Sequence, residues 1–336
     1  MRIALASDAW SPQINGVVRT LAAVAAELRR DGHQVVPITP DRFRSLPCPT
    51  YPEIRLAVGA RRGSARLLDA LSPDAVHIAT EGPIGFAVRR FCLARGWRFT
   101  TAFHTRFPEY IHSRLAVPPG LAYAMLRRFH RPSSGVLVAT DSIRRDLDAR
   151  GFVNLRRWSR GVDAELFRPA AGESERNFLG LKRPIFLCVG RLAVEKNIDA
   201  FLALDLPGSK LVVGDGPMLN ALARRHPEVQ FAGRQTGASL AAHYAAADVF
   251  VFPSRTDTFG LVLLEALACG VPIAAYPVPG PLDVVGDSGC GILGEDLRAA
   301  ALAALAIPGR RCRDYALGFT WSTCARQFLH SLAPLH

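Results

Sequence analysis

Two series of short apolar runs, each run followed by a polar or glycine-rich loop and then a helical segment, constrain the fold most strongly. The strand-like runs of the first series are 2–7, 33–39, 74–80, 98–104 and 135–140. Those of the second series are 184–190, 210–216, 229–233, 248–254 and 271–277. This βαβα alternation predicts an α/β protein with two Rossmann-like, doubly wound parallel sheets.

The segment 161–184 interrupts the alternation and is rich in Pro, Gly, Glu and Ser, as an interdomain linker should be. A length of 336 residues also suits two domains. We therefore predict an N-terminal domain over 1–168 and a C-terminal domain over 169–319. The last helical stretch, 320–336, can pack on either domain, including by crossing back to the first.

The composition is that of a soluble globular protein. The first apolar run stops at Asp8, which is unlike a secretory signal, and no run reaches the ~18 apolar residues of a membrane span. The seven cysteines form no CxxC pair and no metal-binding spacing, which indicates reduced thiols. We expect a cytoplasmic protein, with the inner face of the membrane as an alternative placement.

The net charge of +12 lies wholly in the first half. Residues 1–170 hold 26 Lys and Arg against 14 Asp and Glu, whereas the second half holds 15 of each. Such an excess favours nucleic acid, a phosphorylated ligand or an anionic membrane, or is a solvated Arg-rich surface. Nucleic-acid binding is not favoured, because no basic segment is interleaved with stacking aromatics.

Ligands of parallel α/β sheets bind outside the carboxyl ends of the strands, so polar residues there are the candidates. Arg191 and Lys196 follow the first strand of the second series. Two cations beside a helix N-terminus suit a diphosphate, and the alternative is a solvated turn at Glu195 and Lys196. Gly214, in GDGP, allows close backbone approach or merely forms a turn, and it matches no P-loop.

Three candidates lie in the first half. Gly16 follows Asn15 at a helix start, where the backbone can approach a phosphate; a plain loop with Asn15 as helix cap is the alternative. His104 ends a strand and suits a hydroxyl contact or acid–base work, although a lone His is often structural. Glu81, also at a strand end, either meets a ligand or caps the helix that follows.

Asp257 and Glu265 stand on either side of a loop and an apolar helix start, in the stretch 253–270. Each carboxylate can accept hydrogen bonds from a vicinal diol of a sugar, with the helix N-terminus between them facing an anion. Capping by Asp257 or Thr258 is the alternative. Capping alone does not explain why Glu265 interrupts an apolar run.

Four segments are diagnostic together: the linker RGVDAELFRP and the motifs GRLAVEKN, GDGP and FPSRTDTFGLVLLEALACGVPI. With these segments in family order, the sequence resembles a family-4 retaining glycosyltransferase of the GT-B fold, in which two Rossmann-like domains face each other across a cleft. SPQINGVVRT, HIATEGPIG and FHTRFPEY resemble the first domain of one subgroup. That subgroup includes bacterial GDP-mannose-dependent α-mannosyltransferases and sulfoquinovosyltransferases.

The resemblance implies a catalytic set of Arg191, Lys196, Asp257 and His104. The two cations would neutralise the departing diphosphate, Asp257 would contact the transferred sugar, and His104 would contact the sugar or acceptor side. Glu265 would hold the ribose. The family usually has Glu in the position of Asp257, so this chain departs from the pattern by one methylene, a departure associated with the subgroup.

Further donor contacts are implied at Gly16 and Gly214, and at Arg234 beside the base. The rest of the implied donor site is Thr258, Phe259, Gly260 and Leu261. Glu81 and Tyr110 are the acceptor-side candidates. No DxD-like metal pair is apparent, and enzymes of this type generally work without a metal, so we expect no cofactor and a nucleotide sugar as co-substrate.

The resemblance thus implies a metal-independent hexosyltransferase that moves a sugar, with mannose from GDP-mannose preferred, to a lipid or glycan hydroxyl. A UDP-sugar-dependent glycolipid synthase of the sulfoquinovosyl- or glucosyl-diacylglycerol type is the alternative. Segment 120–131 mixes apolar side chains with Arg and His. We expect it to contact an anionic membrane peripherally, the alternative being an ordinary packing helix.

Overall fold

The computed structural model describes residues 1–13, 15–48, 51–104 and 118–335. The chain divides into two compact units. The first comprises Met1–Arg160 together with Trp321–His336, and the second is Gly161–Thr320. The junction thus lies at Arg160, somewhat before the predicted boundary at 168/169, and the final helix belongs to the first unit.

The first unit contains eight of the strands among the described residues: β1 (Arg2–Ala6), β2 (Gln34–Ile38), β3 (Ser45–Cys48), β4 (Tyr51–Ala57), β5 (Ala75–Ile78), β6 (Thr100–Phe103), β7 (Gly135–Val138) and β8 (Leu155–Arg157). Its helices are α1 (Gly16–Arg30), α2 (Ala60–Leu71), α3 (Pro83–Arg95), α4 (Pro119–His130), α5 (Asp141–Ala149) and the C-terminal helix Trp321–Ser331. A short 3₁₀ turn covers Pro40–Arg42.

Six of these strands form one parallel sheet in the order β2-β1-β5-β6-β7-β8. Buried apolar side chains cover both faces, as all-parallel sheets require. The strands β3 and β4 form a separate antiparallel pair. The sequence pattern did not indicate this pair, because its strands contain Pro and lack a simple apolar alternation.

The second unit is contiguous in sequence. Its strands are β9 (Ile185–Val189), β10 (Ser209–Val213), β11 (Gln230–Phe231), β12 (Val249–Phe252), β13 (Ile273–Ala275) and β14 (Gly291–Leu293). Its helices are α6 (Glu173–Arg176), α7 (Ile198–Leu202), α8 (Leu219–Arg225), α9 (Gly237–Ala246), α10 (Leu261–Ala268), α11 (Pro279–Val284), α12 (Leu297–Ala304) and α13 (Gly309–Ala316). The 3₁₀ turns are Val194–Lys196 and Gly286–Ser288.

The second sheet is also parallel, in the order β11-β10-β9-β12-β13-β14. All ten strand-like runs predicted from the sequence are strands here, which confirms the doubly wound α/β fold. In each sheet the winding direction reverses beside the first strand, between β1 and β5 and between β9 and β12. Loops diverge at such a switch point and leave a crevice in which ligands of these folds bind.

The C-terminal helix, α14 (Trp321–Ser331), completes the core of the first unit. Cys324, Ala325 and Phe328 are buried there with Trp158, whose indole N–H donates to the carbonyl of Cys324 at 3.1 Å. After the helix, the carbonyl of Leu335 accepts from the backbone N–H of Arg98 at 2.9 Å. Among the described residues, no helix has the length and apolar character needed to cross a membrane.

Candidate active site

The loops that follow β9 and β12 are tied together at the switch point of the second sheet. After β9 the chain makes the 3₁₀ turn ending at Lys196, and Asn197 takes a left-handed conformation with φ of 53°. Asn197 Nδ2 donates to the carbonyl of Pro253 at 3.0 Å, and Thr256 Oγ1 donates to the carbonyl of Glu195 at 3.3 Å. These bonds fix one loop against the other.

The two loops bring together a predicted cation and a predicted acid. Lys196 Nζ lies 2.5 Å from Asp257 Oδ1, in an ion pair whose side chains are 24% and 19% exposed. The other oxygen, Asp257 Oδ2, is buried and has no hydrogen-bond partner among the described residues. A buried polar atom without a partner is costly, so this oxygen is suited to accept a hydrogen bond from a ligand.

Glu265 lies within α10 and is only 3% exposed. Its Oε2 accepts a hydrogen bond of 2.9 Å from the hydroxyl of Tyr244 on α9, which explains how an acid is tolerated in an apolar run. No motif or pattern in the sequence indicates Tyr244. The helix begins after Gly260, at φ of 81°, and no side chain caps it. The capping residue is therefore Gly260 and neither Asp257 nor Thr258.

The loop between Asp257 and α10 is held from the other side by α11. A Cβ added at Gly280 would lie 2.9 Å from the carbonyl oxygen of Asp257 and 3.3 Å from that of Phe259. Only a glycine lets α11 approach the loop backbone this closely. Phe259 is buried, Thr258 is partly exposed, and Leu261 is the first residue of α10.

Three more donor-site candidates follow adjacent strands of the same sheet. The backbone N–H of Gly190 donates to the carbonyl of Val213, and that of Gly214 donates to the carbonyl of Gly233. A Cβ at Gly214 would lie 1.8 Å from the carbonyl oxygen of Gly190, so the two strand ends touch backbone to backbone. The loops that carry Arg191, Gly214 and Arg234 therefore start side by side at the carboxyl edge of the second sheet.

In the first unit, the sequence reasoning missed Asp8, which follows β1. Its carboxylate accepts from the backbone N–H groups of Ile84 and Gly85, at 2.8 and 3.2 Å, and from Thr80 Oγ1 at 3.0 Å. Burial raises the pKa of Asp8, while these hydrogen bonds oppose the rise. Asp8 therefore binds the start of α3 to the switch point of the first sheet.

Asp8 already accepts hydrogen bonds from the backbone N–H groups at the start of α3, so a cap from Glu81 is not needed there. Glu81 makes no capping hydrogen bond to this helix. Instead Glu81 Oε1 lies 3.1 Å from Nε2 of His130, a buried histidine of α4. His130 Nδ1 lies 2.9 Å from Thr101 Oγ1 on β6. The acid predicted on the acceptor side is thus held at the carboxyl edge of the sheet by a buried polar chain.

His104 follows β6 at the same edge. Its Nδ1 lies 3.3 Å from Nη2 of Arg160, and its ring meets the edge of Trp158 at a centroid distance of 5.6 Å. Burial, then the charge of Arg160, and then His77 and His130 hold the pKa of His104 well below 6.5. Neither Arg160 nor Trp158 was indicated by the strand-end pattern.

The loop after β1 leads into α1, where Asn15 Oδ1 accepts from the backbone N–H of Val18 at 2.9 Å. Asn15 is therefore the helix cap, as the alternative interpretation held. Gly16 is exposed as the first helical residue, and its approach to a diphosphate stays a prediction. Tyr110 lies outside the described residues.

Two Rossmann-like units in series, with Asp8 at the switch point of the first sheet and the Lys196–Asp257 pair at that of the second, are the organisation expected of a GT-B glycosyltransferase. Among the residues that the structure describes, no group of three His, Cys, Asp or Glu side chains is placed to hold a metal ion.

Comparison with known proteins gives the family. Residues 14–166 match the model described as Glycosyltransferase Family 4, and residues 183–307 match Glycosyl transferases group 1. A GDP-mannose-dependent alpha-mannosyltransferase of Mycobacterium tuberculosis is 31% identical over 87% of this chain and 83% of its own. The sulfoquinovosyl transferase SQD2 of Arabidopsis thaliana is 31% identical over 77% of this chain and 56% of its own.

Solved structures agree in fold. Sucrose-phosphate synthase from Thermosynechococcus elongatus has a TM-score of 0.79 at 22% identity, over 98% of this chain and 97% of its own. Anabaena HepE in complex with UDP has a TM-score of 0.72 at 16% identity, over 98% of both chains. The chain belongs to glycosyltransferase family 4, and it transfers a sugar from a nucleotide sugar.

Proposed function

We propose that this protein transfers mannose from GDP-mannose to a hydroxyl of a lipid or glycan acceptor, with retention of anomeric configuration and without a metal ion. The observation that carries the proposal is the Lys196–Asp257 pair at the switch point of the second sheet. It places a cation beside an acid that has one buried oxygen left for a ligand. Two of the most similar relatives are named as GDP-mannose-dependent enzymes, from Mycobacterium tuberculosis and Mycolicibacterium smegmatis.

The chemistry follows from where charge develops. As the bond between the anomeric carbon and the phosphate breaks, the sugar becomes oxocarbenium-like and the nucleoside diphosphate gains negative charge. Arg191 and Lys196 stabilise that anion in a partly dehydrated site, and removal of one such donor typically costs ~3–4 kcal/mol. Because the cations belong to the chain, the transfer needs neither a resident metal nor another cofactor.

The same proposal assigns the sugar and the nucleoside to the two acids. Asp257 Oδ2 accepts from a hydroxyl of the transferred hexose. Glu265, oriented by the hydroxyl of Tyr244, accepts from the ribose hydroxyls. The nucleoside diphosphate leaves with the electron pair of the broken bond, and the acceptor hydroxyl attacks from the face that it vacates. An oxygen of the departing phosphate takes the proton of that hydroxyl, and the product keeps the configuration of the donor.

The acceptor is assigned to the first unit, with His104 and Glu81 at the carboxyl edge of its sheet. An anionic membrane surface is proposed as the place where a lipid acceptor is met. Leu121 and Met125, one turn apart on α4, are 67% and 52% exposed, and the same helix carries Arg127 and Arg128. Exposed apolar side chains beside cations favour insertion at an anionic interface, at the inner face of the membrane.

A UDP-sugar-dependent glycolipid synthase is the second candidate. It is favoured by the similarity to the sulfoquinovosyl transferase and to the alpha-monoglucosyldiacylglycerol synthase of Streptococcus pneumoniae, which is 29% identical over 91% of this chain. Both candidates use the same Arg191, Lys196 and Glu265. They differ in the base and the sugar, which lie beyond these contacts.

A donor panel tests the proposal. Purified protein is incubated with GDP-mannose, UDP-glucose and UDP-sulfoquinovose, each with vesicles containing anionic lipid, and nucleotide release is measured with and without a chelator. We expect GDP release that the chelator leaves unchanged, and an α-linked product by NMR. UDP release alone would exclude the mannose assignment, and loss of turnover on chelation would exclude metal independence.

The membrane contact needs its own control. Vesicle flotation is compared for the wild type, for Leu121→Ser with Met125→Ser, and for Leu282→Ser, an exposed apolar residue of the second unit. We expect the double variant alone to lose binding to anionic vesicles. Equal flotation of all three proteins would remove α4 from the proposed contact.

A further inference from the structure

The structure assigns a role to Arg160 that neither the family comparison nor the donor-site residues provide. We propose that Arg160 is a positioning residue that fixes His104 in the tautomer bearing its proton on Nε2. His104 then presents a hydrogen-bond donor to an oxygen of the substrate and does not act as a general base. The catalytic part of this inference rests on the proposed function, whereas the tautomer itself does not.

The guanidinium of Arg160 is held rigidly. It is 5% exposed, and its Nη1 donates to the carbonyls of Trp158 at 2.7 Å and Ser159 at 3.0 Å. The Cζ atom of Arg160 lies 4.4 Å from the ring centre of Trp158, in a cation–π contact. Carbonyl bonds at Nη1 and the indole face together define the direction of Nη2.

Nη2 lies 3.3 Å from His104 Nδ1. A guanidinium has only N–H donors and no acceptor, so Nδ1 must be the acceptor in this hydrogen bond. A neutral imidazole that accepts through Nδ1 carries its proton on Nε2. The contact therefore selects one of the two neutral tautomers of His104.

The charge around His104 keeps it neutral as well. Among the residues that the structure describes, the titratable and charged groups that act on it are Arg160 from the segment after β8, His77 from β5 and His130 from α4. Burial lowers the pKa of Arg160 to about 10, so the guanidinium stays charged at neutral pH and repels a second proton on the imidazole. All of these groups lower the pKa of His104 and none raises it.

This arrangement separates two roles that a strand-end histidine could have. A general base must offer an unprotonated nitrogen to the attacking hydroxyl, but the unprotonated Nδ1 is occupied by Arg160. Nε2–H instead suits a hydroxyl or carbonyl-type oxygen as acceptor, such as a ring substituent of the sugar. His104 thus orients a substrate and leaves proton removal to another group.

Nitrogen NMR of protein labelled at histidine tests the tautomer directly, with His104→Gln used to assign the His104 signals. We expect Nε2 in the protonated position and Nδ1 in the unprotonated position, with no titration of His104 between pH 8 and 5.5. A proton on Nδ1 in the wild-type protein would overturn the inference, whatever the activity. This measurement needs neither a variant of Arg160 nor a substrate.

Arg160→Met removes the donor and the charge at similar length, and Arg160→Lys retains a cation that can donate. We expect Arg160→Met to give mixed tautomers, a raised pKa of His104 and a kcat lowered by about tenfold or more, with a new dependence on pH near neutrality. Arg160→Lys should recover part of each change. Arg326→Met, an exposed arginine of α14, is the matched control and should match the wild type.

The two proposals fail separately. The Nε2–H tautomer in a protein that turns over no nucleotide sugar would refute the proposed function and leave the role of Arg160 intact. Sugar transfer whose rate and pH profile are unchanged in a folded Arg160→Met would overturn the catalytic part of this inference.

Discussion

Lys196 Nζ lies 2.5 Å from one oxygen of the Asp257 carboxylate, whereas the other oxygen is buried without a hydrogen-bond partner among the described residues. The pair is therefore both an internal ion pair and an incomplete binding site. One oxygen anchors the loop after β12 to the turn after β9, and the other remains for a ligand. A change at Asp257 should therefore affect both the contact between the two loops and the binding of a ligand.

Asp257→Asn retains the shape but removes the charge that orients Lys196. We expect kcat to fall by about 10²–10³-fold, because a positioned group at the reacting centre is lost. The free energy of unfolding should change by no more than ~1 kcal/mol, as for partly exposed pairs. Nucleotide release and urea denaturation measure the two effects. Asp287→Asn, at an exposed acid of the same unit, is the control; equal activity of both variants would contradict the assignment.

Tyr244→Phe removes the hydroxyl that donates to Glu265. The buried carboxylate then lacks one donor, so donor affinity should weaken by about 1–3 kcal/mol. Calorimetric titration with the nucleoside diphosphate provides the measurement. Tyr315→Phe is the matched control, because it also removes one hydroxyl that donates a hydrogen bond, in this case to the carbonyl of Val284 in the same unit. If both variants bound the nucleotide like the wild type, Glu265 would not be a ribose contact.

Gly214→Ala should be far more damaging than a typical substitution at a left-handed glycine. Gly214 has φ of 148°, and an added Cβ would meet the carbonyl oxygen of Gly190. Gly180, with φ of 63° and open space around its Cα, provides the comparison and should lose only ~1–2 kcal/mol on change to Ala. The melting temperatures of Gly214→Ala and Gly180→Ala measure the two losses of stability. Equal decreases in melting temperature would show that the ends of β9 and β10 can move apart.

The histidine His77 predicts a pH dependence of stability. It is fully buried between Trp158 and Phe328, and burial lowers its pKa to about 3 from a usual value near 6.5. Between those values the unfolded chain binds a proton that the folded protein excludes. The free energy of unfolding should therefore fall as the pH falls below ~6.5. The contribution of His77 to this slope approaches ~1.4 kcal/mol per pH unit, because the unfolded chain binds about one proton more than the folded protein.

Denaturation at pH 7 and pH 5 measures this slope. His77→Gln lowers stability at both values because packing is lost, but the slope with pH should be shallower than in the wild type. Val76→Ala, at a buried position of the same strand without a titratable group, also loses packing and should leave the slope unaltered. An unchanged slope in His77→Gln would mean that this residue is not held neutral.

The periodic parts of the fold were predictable, because a buried parallel strand is an apolar run and its loop is polar. The strand-end argument also places Arg191, Lys196 and Asp257 at the carboxyl ends of strands in the second domain, where ligands of parallel sheets bind. It could not predict that Lys196 bonds directly to Asp257, because that contact joins loops 61 positions apart in the chain. Such a distance depends on the register of β9 and β12.

Residues that act through others were the least predictable. In the sequence Asp8 only marks the end of an apolar run, yet its carboxylate binds the start of α3, more than 70 positions further on. Tyr244 lies in an alanine-rich helix whose pattern indicates packing alone. Arg160 stands in a segment with several arginines, and only the position of His104 distinguishes it from its neighbours.

The position of α14 has a consequence for synthesis. The first unit buries Cys324, Ala325 and Phe328 in its core, so its hydrophobic interior is incomplete until α14 has left the ribosome. The second unit, Gly161–Thr320, is contiguous and is available to fold earlier. Residues 1–160 therefore complete their core after the second unit has been made, and a nascent chain that stops short of Trp321 leaves the apolar surface of these residues uncovered.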